Sequence, residues 1–540
     1  MLWFSTEGGD TMSDFNLGRR RVMQAVGAGL LLPGLAPTVI ASVKDRPQLT
    51  DGVQSGDLLG DRAIIWSRCD RPARMVVEWD TRSLFPDPRR FVSPLADART
   101  DFTARVELTG LPADQAIFYR VQFEDAQSGV ASEPWFGHLR SVPQTRRDIR
   151  FVWSGDTAGQ GFGINPDIGG MRIYEAMRRR LPDFFIHSGD TIYADNPIPA
   201  QLSTEGGRAW RNITTEAKSK VAETLDEYRG NYRYNLMDEN IRRFNAEVPQ
   251  IWQWDDHEVM NNWSPGKKPD ARYQSKDIHS LVDRARQAWL EYAPMRLQST
   301  DGGGRIYRKL GYGPLLDVFV LDMRSYRGTN DDNLGEARPF LGREQLDWLK
   351  REMQASNAQW KVIATDMSIG LGAPDGEVSP GVTRWEAVAN GDPGPARGRE
   401  LEIAELLGFL RAQQVRNFLF LTADVHYCAA HHYHPDRAAF QDFEPFWEFV
   451  AGPLNAGSFG PDSLDMTFGP EVVFEKASPV HNASPLAGFQ FFGEVNIDGQ
   501  TGELNVVLRD LDGVSVFEQK LSPCDSAVAR YVGNDFCTKS

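Results

Sequence analysis

Six short apolar runs in the sequence are each followed closely by an aspartate. Each run is short enough for a buried β-strand, and helical stretches lie between them, as in folds that alternate strands with helices. The carboxyl ends of parallel strands meet at one edge of an open sheet, so these acids are expected to converge there. The acids are Asp156, Asp190, Asp256, Asp322, Asp366 and Asp424.

Clustered carboxylates predict a metal centre. Several acids brought together repel one another, and their pKa values rise unless a cation neutralises them. Oxygen ligands suit hard cations such as Fe³⁺, Mn²⁺, Mg²⁺ or Ca²⁺ better than zinc, which prefers thiolates and imidazoles. Tyr193 follows Asp190 closely and can offer a phenolate to a trivalent ion. A single aspartate at a strand end is often only a turn or cap residue, but caps do not explain the accompanying His257 and His426.

The elements that must position these acids follow from the same pattern. Helices are predicted over 171–180, 279–292, 342–355 and 400–414, and the apolar runs lie at 151–153, 184–186, 251–252, 318–321, 362–364 and 418–421. Runs at 493–497, 504–508 and 514–517 predict a closing antiparallel meander. Short alternating strands before residue 145 predict a small all-β sandwich. The predicted domains are thus 46–145 (β-sandwich), 146–525 (α/β) and 526–540 (tail).

Residues 1–41 have the pattern of an export signal. Three arginines at 19–21 precede a short apolar segment that ends in small residues, and the segment is too short and interrupted to span a bilayer. The arginine pair resembles a twin-arginine signal, with Met12 a better start than Met1. A buried amino-terminal helix is the alternative. The signal predicts a periplasmic or secreted protein, carried by the twin-arginine machinery and without a stable membrane anchor.

Composition excludes several classes of protein. The chain has 540 residues, 41% of them hydrophobic, which argues against a disordered, collagen-like or multi-span membrane protein. Its formal charge of −15, without a basic block, argues against a protein that wraps nucleic acid. The four cysteines show no CxxC spacing, and Cys524 and Cys537 could pair in an oxidising compartment.

Four motifs carry a family resemblance. Gly189-Asp190-Thr-Ile-Tyr193 resembles the GDxxY element of calcineurin-like and purple-acid-phosphatase-type metallophosphoesterases. The run that begins Asp255-Asp256-His257-Glu258, with Leu321-Asp322-Met-Arg324 and Asp424-Val-His426, resembles the equivalents in the PhoD family of alkaline phosphatases and phosphodiesterases. The similarity runs from about residue 50 to residue 520. The run DDHE is its most specific part.

The resemblance implies a fold and a ligand set. The fold is α/β, with a four-layer α/β/β/α metallophosphoesterase core preceded by the small all-β sandwich domain. By motif, Asp156, Asp190, Tyr193 and His426 would hold a first ion, and Asp190 would bridge to a second ion held by Asp256 and Asp424. The family uses two or more ions, Fe³⁺ and Ca²⁺. Better-known members carry a cysteine where this chain has Asp156, and a carboxylate there permits other divalent ions.

The resemblance also implies an activity. The chain is expected to be an exported metal-dependent phosphoesterase that hydrolyses phosphomonoesters or phosphodiesters, small or polymeric, by attack of a metal-bound hydroxide. His257 is the expected catalytic residue, because it follows Asp256 as the catalytic histidine follows an asparagine in related enzymes. Asn262 and Arg324 are candidate substrate-binding residues. Asn262 is also a possible extra metal ligand, and Arg324 could instead pair with a neighbouring acid such as Asp322.

Two other functions would also gather acids at strand ends. A glycosidase does so, but it needs only one acid pair and neither phenolate nor histidine ligands. A non-catalytic Ca²⁺-dependent extracytoplasmic binding protein would use the acids for cations alone. The histidine cluster His431, His432 and His434 is predicted to be solvent-exposed rather than to bind metal.

Overall fold

The structure is a computed structural model that describes residues 46–297 and 304–524. The predicted export signal at 1–41, the tail at 526–540 and Cys537 lie outside the described residues. The Cys524–Cys537 disulfide and the export signal therefore stay predictions. No helix within the described ranges is both long and apolar enough to cross a membrane.

The described residues form six α-helices and twenty-four strands, and the helices all lie between β8 and β18 along the chain. The helices are α1 Arg172–Arg178, α2 Leu225–Asn235, α3 Glu239–Glu247, α4 Ile278–Tyr292, α5 Arg343–Ala355 and α6 Glu400–Ala412. The first twelve strands are β1 Val53–Leu59, β2 Arg62–Arg68, β3 Ala73–Asp80, β4 Arg89–Ala96, β5 Thr103–Leu108, β6 Ala116–Asp125, β7 Trp135–Arg140, β8 Ile149–Ser154, β9 Phe184–Ser188, β10 Gln201–Ser203, β11 Ala209–Arg211 and β12 Gln250–Gln253. The others are β13 Arg308–Gly311, β14 Leu316–Val320, β15 Trp360–Ala364, β16 Pro374–Ser379, β17 Val382–Trp385, β18 Phe418–Thr422, β19 Cys428–Tyr433, β20 Phe446–Val450, β21 Pro470–Lys476, β22 Phe491–Ile497, β23 Leu504–Asp510 and β24 Ser515–Leu521.

The six predicted acid-bearing strands lie in two sheets. A nine-stranded sheet has the order β24-β23-β22-β8-β9-β12-β1-β2-β5, and a seven-stranded sheet has the order β13-β14-β15-β18-β20-β19-β21. Strands β8, β9 and β12 run parallel in the first sheet, and β14, β15 and β18 run parallel in the second. The prediction that the acids follow parallel strands is confirmed, with three strands in each sheet.

Both faces of the parallel strands are buried. Phe151 and Trp153 of β8 belong to a hydrophobic core that also contains Val318 and Val362 of the other sheet. Val152, between them in sequence, packs instead with residues of helices α1 to α4. Burial on both faces explains why these strands are continuous apolar runs in the sequence rather than alternating ones.

Four of the six helices, α1, α4, α5 and α6, were predicted to within two residues of their observed ends. Helices α2 and α3 were not predicted, because α2 is rich in asparagine, arginine and tyrosine and has no clean apolar stripe. A capping box between Thr224 and Glu227 begins α2, and this was the available signal.

The amino-terminal strands do not form a closed unit of their own. Strands β3, β4, β6 and β7 make a four-stranded antiparallel sheet, whereas β1, β2 and β5 extend the nine-stranded sheet through a parallel pairing of β1 with β12. Gly56 lies at this junction, where a Cβ atom would be 2.5 Å from the carbonyl oxygen of Gln250. The domain boundaries inferred from the sequence stay a prediction.

The predicted closing meander is confirmed as β22, β23 and β24, and β22 pairs with β8, the strand that leads to Asp156. Glu494 on β22 is buried, and it accepts hydrogen bonds from Arg180 at 2.5 Å and from Arg509 at 3.0 Å. Burial opposes ionisation of Glu494, but the two guanidinium groups outweigh it and lower its pKa to about 2. This ion pair ties the meander to the end of α1.

We predict that Glu494→Gln lowers the free energy of unfolding by about 2–3 kcal/mol at pH 7, because charge-assisted hydrogen bonds are lost. The pKa of Glu494 is lower in the folded than in the unfolded protein. Its stabilisation is therefore complete above about pH 4.5 and is lost as the pH falls toward 2. Urea unfolding at pH 7 and pH 3 should show a smaller difference between variant and wild type at pH 3. The control is Glu503→Gln, which alters an exposed pair between Glu503, just before β23, and Lys520 on β24. An equal effect of both variants would contradict the prediction.

Candidate metal centre

The loops after the strands turn sharply at the acids themselves. Asp156, Asp190, Asp424 and His426 have left-handed backbones, with φ of 65°, 53°, 64° and 61°. Side chains other than glycine seldom adopt this conformation, although aspartate and histidine do so more readily than most. The turns bring carboxylates from both sheets to one place.

The structure brings the predicted ligands together in three overlapping groups. The potential ligand atoms within each group lie within 4.8 Å of one another. The groups are Asp156, Asp190 and His426; Asp190, Asp256 and His257; and Asp255, Asp256 and Asp424. Asp190 and Asp256 each belong to two groups, so they lie at the centre of the cluster.

Glu258 fastens the loops on which the cluster is built. Its buried carboxylate accepts hydrogen bonds from the backbone N–H groups of Asp190, at 3.2 Å, Thr191, at 2.7 Å, and Asp255, at 2.8 Å. The N–H of His257 donates to Oδ1 of Asp190 at 3.1 Å. The strand ends of β9 and β12 are thereby held in register at the site.

Tyr193 and His426 lie on the Asp156 side of the cluster. The Tyr193 hydroxyl is 2.8 Å from Nε2 of His426, and both side chains are buried. Nδ1 of His426 is 2.5 Å from the carbonyl oxygen of Gly457, to which it donates, so Nε2 is left to accept or to ligate. Burial lowers the pKa of His426 to about 4, which keeps the imidazole neutral and suited to bind a cation.

The acids show the mutual repulsion that the sequence predicts. Burial and the Asp255 carboxylate raise the pKa of Asp156, and burial and Asp256 raise that of Asp190. Burial and Asp255 also raise the pKa of Asp424. Asp256 is the exception, because His257 and Arg324 outweigh its burial and lower its pKa. The cluster therefore gains from added positive charge.

Two observations show that the residues fit hard cations. Oδ2 of Asp156 and Oδ1 of Asp256 are buried and have no hydrogen-bond partner among the described residues. Buried carboxylate oxygens are rarely left without a donor or a cation. The donor set of carboxylates, a phenol and an imidazole suits oxygen-preferring ions. Several metal ions fit this cluster.

His257 is held by an acid that the sequence interpretation did not single out. Nδ1 of His257 is 2.6 Å from Oδ1 of Asp195, and the other Asp195 oxygen accepts from the N–H of Asn261 at 3.1 Å. Burial disfavours protonation of His257, but Asp195 and Asp256 outweigh it and raise its pKa to about 9. His257 is therefore held in one orientation by Asp195 and keeps its proton at neutral pH.

Arg324 does not line the cleft and is fully buried beneath it. Its guanidinium group binds Asp255 at 2.5 Å and Glu386, and it lies 3.7 Å from Asp256 and 3.8 Å from Asp424. Asp322, the partner suggested from the sequence, accepts a hydrogen bond from the backbone N–H of Arg324 and not from its guanidinium group. This position does not support direct contact with substrate and favours the alternative, pairing with acids. Arg324 is the buried cation that partly balances the carboxylates.

A cleft of about 850 Å³ opens onto the cluster. Asp190, Asp256, Asp424, His257 and His426 line its floor, while Asp156 and Tyr193 lie below. Asn262, a predicted substrate-binding residue, lines one wall, and its backbone N–H donates to Asp256. Asn262 and His257 therefore line the same cleft.

The prediction that the histidine cluster is solvent-exposed is wrong for two of its three members. His431 and His432 lie on β19 and are buried, and Nδ1 of His431 is 3.2 Å from Glu448. The strand is covered on both faces, and this tertiary burial is not visible in the local sequence. Neither histidine belongs to the candidate metal groups of the described residues.

The fold is similar to that of two solved phosphatases. A solved structure of PhoD matches with a TM-score of 0.65 and 20% identity, covering 88% of this chain and 92% of that chain. The purple acid phosphatase PPD1 from yellow lupin (Lupinus luteus) seeds matches with a TM-score of 0.53 and 12% identity, covering 88% of this chain and 74% of that one. At such identities these likenesses show the fold alone.

Sequence comparison identifies the family. The model for PhoD-like phosphatase matches residues 151–508, and the model for the PhoD-like phosphatase N-terminal domain matches residues 34–143. The chain belongs to the PhoD-like phosphatase family, and it is a phosphoester hydrolase. Alkaline phosphatase D of Bacillus subtilis (strain 168) is 26% identical over 497 residues, which cover 85% of this chain and 80% of that protein. The resemblance noted in the sequence is confirmed.

We predict that Arg324→Gln destabilises the metal-free protein by about 3–5 kcal/mol, because it leaves buried carboxylates without their cation. Divalent cations should recover part of this loss, since they supply positive charge at the same cluster. Thermal unfolding with EDTA and with added metal measures both effects. Arg338→Gln removes an exposed pair with Asp331 and should change little. A melting temperature of Arg324→Gln equal to that of the wild type in EDTA would contradict the role of Arg324.

Proposed function

We propose that this chain is an exported, metal-dependent phosphoesterase that hydrolyses phosphomonoesters, phosphodiesters or both. The observation that carries the proposal is the position of Asp190. Its carboxylate lies at the floor of an open cleft and is shared between two groups of possible ligands, one of which includes His257. Two cations that share a carboxylate can together bind one phosphoryl group.

The proposed ligands divide between two ions. Asp156, Asp190, Tyr193 and His426 would hold the first, and Asp190, Asp256 and Asp424 would hold the second. Fe³⁺ and Ca²⁺ are proposed from the family resemblance, and the carboxylate of Asp156 is compatible with other divalent ions. Such ions, when bound, acidify water and stabilise negative charge on phosphoryl oxygens.

His257 has the proposed role of protonating the leaving oxygen. Asp195 fixes the imidazole through Nδ1, so that Nε2 is the nitrogen available to the cleft. The side chain of Asn262 lines the same cleft and would bind a phosphoryl oxygen. The hydrogen bond between the Asn262 N–H and Asp256 would keep the cleft wall and the ligand in fixed relation. Arg324 would not contact the substrate, but it would hold in place the acids that it contacts.

The proposal extends to the layers of the core, the domains and the cellular location. Helices α1 to α4 share a core with one sheet and α5 and α6 with the other, which supports a four-layer α/β/β/α core. The match of residues 34–143 to an N-terminal domain model supports a separate first domain. The twin-arginine pattern in residues 1–41 supports a periplasmic or secreted location. Family membership disfavours both a glycosidase and a non-catalytic calcium binder.

We predict that Asp190→Ala or Asp256→Ala nearly abolishes turnover of p-nitrophenyl phosphate and bis-p-nitrophenyl phosphate, because each removes a ligand at the centre of the cluster. Metal analysis of the same samples should show fewer ions per chain. Asp436→Ala, an exposed residue away from the cleft, is the control and should keep both activity and metal. A near wild-type rate of Asp190→Ala with full metal content would contradict the site assignment.

We predict that Asp195→Asn lowers kcat for phenyl phosphate by about 10²-fold, because His257 loses the group that orients and charges it. The loss should be smaller for p-nitrophenyl phosphate, since p-nitrophenolate leaves readily without a proton. Steady-state kinetics with the two esters measures this difference, and His257→Gln should show the same pattern.

The matched control for Asp195→Asn is Asp270→Asn on the rim of the same cleft, where the carboxylate pairs with Arg272. The control should affect both esters little. Equal losses for the two esters in Asp195→Asn would contradict proton donation by His257.

A further inference from the structure

One wall of the cleft carries aromatic rings next to the metal cluster. The ring of Phe459 lies 5.1 Å, centre to centre, from the ring of His426. The ring of His481 lies 4.7 Å, centre to centre, from the ring of Phe459, and the two ring planes make an angle of 60°. Phe459 is half-buried, His481 is exposed, and both line the cleft together with Pro461. The rings extend outward from the ligands toward solvent.

The aromatic wall is held by its backbone. The N–H of Phe459 donates to the carbonyl oxygen of His426 at 3.2 Å. Ser458 and Ala483 exchange two backbone hydrogen bonds, of 2.9 and 3.0 Å, which join the segment of Phe459 to that of His481. Gly460 has φ of 95°, and a Cβ there would lie 2.5 Å from the Tyr427 ring. The wall is therefore anchored to the candidate ligand His426.

The cleft lining also includes groups of a different chemistry. They are the amides Asn261 and Asn262 and the cations Lys267 and Lys268. A ligand whose phosphoryl group reached the metal cluster would have its attached organic group in the same cleft as these polar side chains and the aromatic rings. Planar rings stack favourably on aromatic side chains, whereas small aliphatic alcohols gain little from them.

We propose that Phe459 and His481 form a subsite for a planar aromatic group esterified to the substrate phosphate. The inference rests on the proposed phosphoesterase function for the position of the phosphoryl group. Simple aryl esters and nucleotides share this planar chemistry. Asp462 lines the same wall and offers hydrogen-bond acceptors that an adenine amino group can use and a phenyl ring cannot.

The test compares phosphonates that cannot be hydrolysed. Phenylphosphonate and methylphosphonate carry the same anionic group, and isothermal titration calorimetry on the metal-loaded full chain measures their affinities. We expect phenylphosphonate to bind about five- to tenfold more tightly to the wild type, as expected for a stacked ring. Phe459→Leu and His481→Ala should each remove most of this preference. His279→Ala, an exposed histidine on α4 outside the cleft, should keep it.

Turnover distinguishes the two kinds of aromatic ligand. Two ratios of kcat/KM are measured for the wild type and for His481→Ala. The first compares adenosine 5′-phosphate with ribose 5′-phosphate, and the second compares phenyl phosphate with glycerol 2-phosphate. A fall of about fivefold in both ratios indicates general stacking, and a fall in the first alone indicates a nucleoside. Either result supports the subsite. No fall in either ratio overturns it.

Failure of the inference and failure of the proposed function give different results. Equal affinity of the wild type for phenylphosphonate and methylphosphonate overturns the aromatic subsite, whatever the catalytic rates. Absence of turnover of every phosphate ester by the metal-loaded protein overturns the proposed function and leaves the phosphonate comparison valid. Because His481 is exposed, His481→Ala keeps the test open if Phe459→Leu fails to fold.

Discussion

Repulsion among buried carboxylates is the physical constraint on which the rest of this structure depends. Asp255, Asp256, Asp366 and Asp424 all lie within 4 Å of the buried guanidinium group of Arg324. This guanidinium group does not balance all four acids in a medium of low dielectric constant, and burial raises the pKa values of Asp255, Asp366 and Asp424. The cluster is therefore built for additional positive charge, which bound metal ions supply.

The two sheets meet this constraint together. Asp156, Asp190 and Asp256 follow strands of the nine-stranded sheet, and Asp424 and His426 follow β18 of the seven-stranded sheet. Each ligand group that includes Asp424 or His426 therefore spans both sheets. The hydrophobic cores on either side of the strands hold the two sheets together. Their packing energy offsets the repulsion between the carboxylates. Asp156, Asp190 and Asp424 have left-handed backbone conformations, which are locally strained.

Much of this arrangement could be predicted from the sequence, because it depends on local patterns. Apolar runs ended by aspartate identified the strands, and parallel-strand geometry implied that the acids meet. The contributions of Asp195 and Glu386 could not be predicted in this way. Asp195 acts through a residue on another loop, His257, and Glu386 reaches Arg324 from the segment after the β16–β17 hairpin. The role of Arg324 and the environment of His431 could not be predicted either, because both depend on burial of the side chain. Burial of this kind is decided by distant segments of the chain.

The most direct test of the central claim is to locate the ions. Crystals of the metal-loaded protein, measured on either side of the absorption edges of the metals found by elemental analysis, would give anomalous difference maps of the cleft floor. We predict at least two peaks with the Asp190 carboxylate between them, one beside Asp156 and His426 and the other beside Asp256 and Asp424. A single peak that does not contact Asp190, or no peak at the cluster in a protein with full phosphatase activity, would contradict it.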